Sequence, residues 1–211
     1  VAQLYAGKPQ HPVTRALQPA IEAYDITYPR LADIMDGMEM DLNQSRYLDY
    51  ANLRVYCHRV AGVVGLLAAG IFGYRNPQTL DYAAKLGLAF QLTNIIRDVG
   101  EDARNNRIYL PMDELRQFEV SAADILNARQ SEGFGRLMAF QAERAQACYA
   151  EAMALLPPED RRTQRPGLIM AAIYRALLEE IAVDGYRVLT QRIALTPMRK
   201  LWIAWRTWLA G

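Results

Sequence analysis

One stretch of the sequence, LGLAFQLTNIIRDVGEDAR, carries four oxygen-bearing side chains at spacings suited to a single site: Gln91, Asn94, Asp98 and Asp102. If the stretch is helical, a rotation of about 100° per residue gathers these side chains into one narrow stripe. A stripe of apolar side chains lies directly beside it, formed by Leu88, Leu92, Ile95 and Val99. The acids are therefore expected to border an apolar cavity, because a solvated helix face would carry them opposite the apolar stripe.

Two carboxylates at the edge of a core are costly unless a cation shares the site. Mg²⁺ prefers carboxylate and amide oxygens, keeps several waters and bridges to the phosphates of a substrate. The spacing therefore predicts a magnesium site that binds a phosphate-bearing ligand. A helix end with ordinary acidic residues is the alternative.

Three further residues lie close to the acidic stripe in sequence. Arg97 is adjacent to Asp98 and is either its salt-bridge partner or a phosphate ligand. Arg107 and Tyr109 lie in the loop that directly follows, within chain reach of a bound anion. The planar guanidinium suits phosphate oxygens, so both arginines are candidate phosphate ligands.

A second candidate segment, YCHRVAGVVG, places Tyr56 before Ala61, Gly62 and Gly65. Because these three residues have small side chains or none, they leave room either for a long flexible ligand or for the close approach of another helix. A different group of acids, Asp33, Asp36, Glu39 and Asp41, is predicted to form a solvated helix face.

Composition restricts the class of protein. The 211 residues suffice for one domain with a sizeable core, and 24 basic against 23 acidic side chains leave no electrostatic footprint for nucleic acid. Cys57 and Cys148 are far apart and lack zinc-ligand spacing, which favours a reducing cytoplasmic location. Helical periodicity runs through nearly the whole chain, and no segment alternates as a strand would.

Two apolar helices raise the question of a membrane. The longest apolar run, Val60 to Tyr74, is only about fifteen residues and is predicted to be a buried core helix. The last helix carries Trp202, Trp205 and Trp208 among basic residues. It is either a helix that caps the core or an amphipathic helix in peripheral contact with the inner membrane.

The run QLTNIIRDVGEDARNNRIYLP, with YCHRVAGVVG upstream, resembles the squalene and phytoene synthase family of head-to-head prenyltransferases. The pattern QxxNxxRDxxxD followed by RIYxP is long and specific, and the resemblance covers nearly the whole chain. The segments DGMEMDL, PGLIMAAIYRALLEEI and RIALTPMRKLWIAW are most similar to bacterial presqualene diphosphate synthases of squalene and hopanoid biosynthesis.

The resemblance implies an all-α isoprenoid-synthase bundle around a central apolar cavity, and Mg²⁺-dependent condensation of two farnesyl diphosphates to presqualene diphosphate. It implies that the metal ligands are Asp98, Asp102 and Asn94. The substrate-binding residues would be Gln91, Asn94, Arg97, Arg107 and Arg192. The catalytic residues would be Tyr56, Arg97, Tyr109 and Tyr174. Tyr174 and Arg192 follow from the resemblance alone.

The family also has a first Asp-rich motif of DxxxD type on an early helix, which this sequence does not contain. Residues 1–211 are therefore expected to form a single prenyltransferase domain without its N-terminal helices, inactive or nearly so by itself. Two alternatives stay open. One is a phytoene, dehydrosqualene or full squalene synthase, and the other is a non-catalytic assembly subunit.

Overall fold

The computed structural model describes residues 1–210, and these form helices joined by short loops. The helices are α1 (Ala2–Tyr5), α2 (Pro12–Ala23), α3 (Tyr28–Asn43), α4 (Tyr50–Cys57), α5 (Val63–Phe72), α6 (Gln78–Arg104), α7 (Met112–Gln117), α8 (Ala122–Leu126), α9 (Glu132–Leu155), α10 (Arg165–Val183) and α11 (Pro197–Ala210). Within residues 1–210, the only extended pairing is an isolated bridge between Arg46 and Ile108. The all-α prediction is confirmed.

Local sequence signals fix several helix ends. Ser121 accepts a hydrogen bond from the Asp124 backbone N–H, and the Asp124 side chain accepts one in return from the Ser121 backbone, so a capping box starts α8. Gly73 ends α5 with φ +84°, a conformation that favours glycine. Pro157 and Pro158 follow the end of α9, where the sequence predicts it.

A π-helical turn over His58–Gly62 joins α4 to α5, so that one continuous helix runs from Tyr50 to Phe72. Its 23 residues are long and apolar enough to cross a membrane, whereas the apolar run alone is too short. Only 28% of its most apolar 18-residue segment is buried, so the prediction that this helix is buried in the core is wrong. One such helix is weak evidence for a membrane span, and much of its apolar surface faces the groove described below.

Helix α6 lies at the centre of the bundle and contacts α5, α9 and α10. Its contact with the preceding helix is unusually close. A Cβ at Gly65 would overlap the carbonyl oxygen of Ala83, and one at Gly87 would overlap that of Ala61. Glycine is therefore required at both positions for the two backbones to approach.

We expect Gly65→Ala to destabilise the fold by about 1–3 kcal/mol, because the added methyl group forces two helix backbones apart. Gly135→Ala is the matched control, since a Cβ at this position of α9 meets no atom within 4 Å. There the same change should leave the free energy of unfolding unchanged or raise it by about 0.5–1 kcal/mol. Urea unfolding of both variants measures this, and equal effects would contradict the close approach.

Candidate active site

The oxygen-bearing stripe predicted from the sequence lies on α6, at the boundary between core and solvent. Leu92, Ile95 and Val99 are buried, whereas the four oxygen-bearing residues are half-buried beside them. Gln91 and Asn94 face an apolar groove. The stripe therefore borders a hollow, as its position beside the apolar stripe predicts.

The groove has a cavity volume of about 290 Å³ and lies between α5, α6 and α10. Small residues form much of its wall, including Ala61, Gly65, Ala68, Ala83 and Gly87. At the end nearest the stripe, Tyr174 packs on Phe90 with ring centroids 4.8 Å apart. The space left by the small residues suits a long apolar ligand with a polar head at this end.

Asp98 is held by two arginines. Arg97 donates to both carboxylate oxygens, with Nε at 2.8 Å from Oδ1, and Arg192 Nε donates to Oδ1 at 2.9 Å. Burial acts to raise the pKa of Asp98, but the hydrogen bonds and charges of the two arginines outweigh it and the pKa is lowered. Asp98 is therefore ionised at neutral pH, and its arginines are within reach of a second anion.

The loop that carries Arg192 is attached to α6 near Asp98. The Gly100 backbone N–H donates to the Val188 carbonyl oxygen at 3.2 Å. A Cβ at Gly100 would overlap the carbonyl oxygens of Val188 and Leu189. The approach of this loop to the acidic helix therefore depends on the glycine.

Asp102 lies one turn further along α6, against Arg107 and Tyr109. Burial, followed by the negative charges of Asp98 and Glu101, raises the pKa of Asp102 to about 7. The positive charge of Arg107 offsets only part of this rise. A carboxylate in this position is stabilised by any additional cation.

Asp41 was predicted to lie on a solvated face, and this is wrong. Its carboxylate accepts hydrogen bonds from the hydroxyl groups of Tyr56 at 3.0 Å and Tyr109 at 2.7 Å. Arg107 donates to its backbone carbonyl oxygen at 2.9 Å. Asp36 and Glu39, on the same helix, are exposed as expected. Asp41 thus joins the predicted site residues, although the sequence does not single it out.

Three tyrosine rings stack behind Asp41. Tyr47 is fully buried, and the Tyr56 and Tyr109 rings lie nearly parallel with centroids 5.3 Å apart. Burial raises the pKa of Tyr109 to about 12, so its hydroxyl keeps its proton. The cluster presents aromatic surface and protonated hydroxyl groups next to Asp102.

The donor set fits a hard divalent cation in part. The Oδ1 atom of Asn94 is buried and has no hydrogen-bond partner among residues 1–210, and the charge of Asp102 is only partly compensated by Arg107. Asp98 would have to exchange arginine contacts for the ion. Over the same residues no cluster of three His, Cys, Asp or Glu side chains could hold a metal. The chain therefore supplies part of a coordination shell, and water and phosphate oxygens would complete it.

The predicted site residues fall into three adjoining groups along the second half of α6. Gln91, Asn94 and Tyr174 lie at the head of the groove. Arg97 and Arg192 surround Asp98 and, together with Lys200, line a small pocket against α10. Arg107 and Tyr109 lie beside Asp102, and Asp41 connects Tyr109 to Tyr56 through hydrogen bonds with both hydroxyl groups. Lys200 was missed because no local pattern distinguishes it from the other basic residues of α11.

Comparison with known proteins gives consistent matches over almost all of the chain. The profile of the family described as squalene/phytoene synthase matches residues 1–199. The phytoene synthase of Arthrospira platensis is 38% identical, over 94% of this chain and 68% of that protein. A chloroplastic phytoene synthase of an Oncidium hybrid cultivar is 34% identical, over 94% of this chain and 50% of that protein. The chain thus spans from about half to about two thirds of these relatives.

Solved structures show the same architecture. A dehydrosqualene synthase in complex with a ligand superposes with a TM-score of 0.88 at 28% identity, covering 99% of this chain and 75% of that one. The squalene synthase HpnC from Alicyclobacillus acidocaldarius gives a TM-score of 0.78 at 29% identity, covering 88% and 70%. The helical bundle is therefore shared with a dehydrosqualene synthase and a squalene synthase.

The raised pKa of Asp102 predicts a pH-dependent stability. Between its ordinary value of 3.8 and about 7 the folded chain binds more protons than the unfolded one, so stability falls as pH rises through this window. In the wild type we expect the free energy of unfolding to fall by about 1–2 kcal/mol between pH 5 and pH 8, after allowance for solvent screening at this half-exposed position. Asp102→Asn should abolish this decrease.

Urea unfolding at pH 5 and pH 8, without divalent cations, measures the effect. Asp81→Asn, which makes the same chemical change at an exposed position of α6, is the control and should keep the wild-type pH dependence. Parallel profiles for wild type and Asp102→Asn would show that Asp102 has an ordinary pKa.

Proposed function

Because the chain belongs to the squalene/phytoene synthase family, whose members are prenyltransferases, we propose that the protein joins two farnesyl diphosphates head to head to give presqualene diphosphate. One observation carries the proposal. An apolar groove ends at Asn94, next to a cluster in which two half-buried carboxylates face three arginines: Arg97, Arg107 and Arg192. A ligand with a long apolar tail and a doubly charged head matches both parts.

The arginines would bind the diphosphate. Arg97 and Arg192 already contact one anion, Asp98, and both line a pocket that shares Tyr174 with the groove. Bound Mg²⁺, held by Asp98, Asp102 and Asn94, would supply positive charge to the departing pyrophosphate. The guanidinium groups stabilise the same developing charge by preorganised hydrogen bonds.

Departure of pyrophosphate from the first farnesyl diphosphate leaves an allylic cation. The C2=C3 double bond of the second molecule attacks this cation, and loss of a proton to the released pyrophosphate closes a cyclopropane ring. Aromatic faces at the head of the groove, such as Tyr174, favour the cation by about 0.5–2 kcal/mol each. The apolar wall keeps water from the cation, since its lining is mostly aliphatic and aromatic.

A second candidate product is phytoene, made from a twenty-carbon diphosphate. It is favoured by the sequence relatives, which are phytoene synthases 33–38% identical to this chain. A non-catalytic assembly subunit is disfavoured, because such a protein has no need of an Arg97–Asp98 pair one helical turn from a pocket lined by Asp102 and Tyr109.

We expect Arg97→Gln to lower kcat/KM for farnesyl diphosphate about 100-fold or more, because the charge on the leaving pyrophosphate loses a preorganised donor. The assay uses the intact protein with Mg²⁺ and identifies presqualene diphosphate by mass spectrometry. Arg136→Gln is the control, since exposed Arg136 on α9 pairs only with Glu132.

The same assay tests the alternatives. Conversion of geranylgeranyl diphosphate in preference to farnesyl diphosphate would replace the proposed product by phytoene. The 211-residue chain alone is expected to show little or no turnover, and full activity would contradict that expectation.

We also propose that α11 rests on an anionic membrane surface, with the protein on the cytoplasmic side. The side chains of Trp202, Trp205 and Trp208 are each more than half exposed, and Ile203 packs against the core. Besides the three tryptophans, the helix carries Leu201, Ile203 and Leu209, and it has the basic residues Arg199, Lys200 and Arg206 but no acid. Exposed tryptophans among basic residues suit the interface of negatively charged lipids.

Vesicle flotation tests this contact. We expect the protein to float with vesicles that contain phosphatidylglycerol, and Trp202→Gln/Trp205→Gln to reduce the bound fraction about tenfold. Val13→Gln/Leu42→Gln, which removes two apolar side chains outside α11 that are more exposed than the tryptophans, is the control and should bind normally. Unchanged binding of the tryptophan variant would assign α11 to capping the core.

A further inference from the structure

The groove has a direction. Its lining on α6 runs from Asn94 at the polar end back to Tyr82. These residues are twelve positions apart, so the groove follows α6 for about 18 Å. On α10 the lining runs in parallel, from Tyr174 near Phe90 to Gly167 near Tyr82. A prenyl chain with its diphosphate at Asn94 would therefore place its last isoprene unit towards Tyr82.

The end of the groove at Tyr82 is closed by polar contacts between helix ends. The buried amide of Gln164 donates to the carbonyl oxygens of Ala69 at 3.3 Å and Gly73 at 2.9 Å. Asp160 is fully buried and accepts hydrogen bonds from the backbone N–H groups of Arg75 and Asn76, at 2.8 and 3.0 Å. These contacts fasten the α5–α6 turn to the start of α10, so the closed end has a fixed position.

Two bulky side chains, Tyr82 and Phe72, line this end, and Tyr82 is the buried one, since Phe72 is 38% exposed. The Tyr82 side chain is 1% exposed, and its hydroxyl has no hydrogen-bond partner in residues 1–210. A Cβ at Gly167 would lie 2.9 Å from the hydroxyl oxygen, so the ring is fitted closely against α10. A buried hydroxyl without a hydrogen-bond partner is unfavourable, so hydrogen bonding does not explain why a tyrosine occupies position 82. The remaining contribution of Tyr82 is the shape of its ring, which occupies the closed end of the groove.

We propose that Tyr82 determines the length of the prenyl chain, by closing the groove behind a fifteen-carbon tail and excluding the extra isoprene unit of a twenty-carbon tail. This inference rests on the proposed function. Between the two ends the wall includes Gly65, Ala83 and Gly87, which carry at most a methyl group, and its larger side chains there are aliphatic, such as Leu86 and Met170. Tyr82 is thus a specificity-determining residue, remote from the reacting carbon atoms.

The test measures binding, not turnover. Non-reactive thiolodiphosphate analogues of farnesyl and geranylgeranyl diphosphate are titrated calorimetrically into the intact protein with Mg²⁺. For wild type the farnesyl analogue should bind more tightly. Tyr82→Ala should shift the ratio of the two dissociation constants about tenfold or more towards the longer analogue, since it frees space for apolar groups. Tyr82→Phe keeps the ring and should leave the ratio within about twofold of wild type.

The possible outcomes are distinguishable. If Tyr82→Ala binds both analogues with the wild-type ratio, Tyr82 does not set chain length. If wild type binds neither analogue, the proposed function itself fails. Tyr82→Leu, a smaller loss of volume, is measured in parallel together with thermal unfolding of each variant. If Tyr82→Ala is unfolded, a ratio for folded Tyr82→Leu that stays at the wild-type value overturns the proposal.

Discussion

The structure depends on holding negative charge beside an apolar groove. Asp98 and Asp102 lie one turn apart on α6, both half-buried, and their neighbours on the same helix are core residues. Arg97 and Arg192 neutralise the first acid, whereas the second has only the partial help of Arg107. The ionised form of Asp98 is therefore stabilised, whereas the ionised form of Asp102 is destabilised. A cation bound between the two carboxylates would be stabilised by both.

The helix packing around this charge is arranged to leave space. Gly65 and Gly87 allow α5 and α6 to approach until their backbones are in contact, and neither residue adds a side chain to the groove wall. Larger residues return at the two ends, with Tyr174 and Phe90 near the acids and Tyr82 at the closed end. The same residues thus serve packing and ligand space, which is why glycine in this segment has two interpretations from the sequence alone.

Periodicity was sufficient to predict most helices and the oxygen-bearing stripe on α6, because both depend on neighbours within a few turns. It was insufficient where partners are distant. Asp41 contacts Tyr56 and Tyr109, which lie 15 and 68 positions away, so its spacing among other acids suggested only a solvated face. Tyr174 and Arg192 came from family resemblance for the same reason. The π-helical turn over His58–Gly62 also has no simple sequence signal, and it extends a helix that the apolar run alone makes too short.

The hydrogen bond between the Gly100 N–H and the Val188 carbonyl oxygen affects how the site changes when an anion binds. It fixes the backbone of the loop four positions before Arg192, while the guanidinium itself remains about half exposed. The side chain of Arg192 can therefore change rotamer while the backbone that carries it stays in place. Arg192 can exchange its carboxylate partner for an incoming anion by rotation about side-chain bonds alone. Binding of the anion therefore costs little conformational entropy of the main chain.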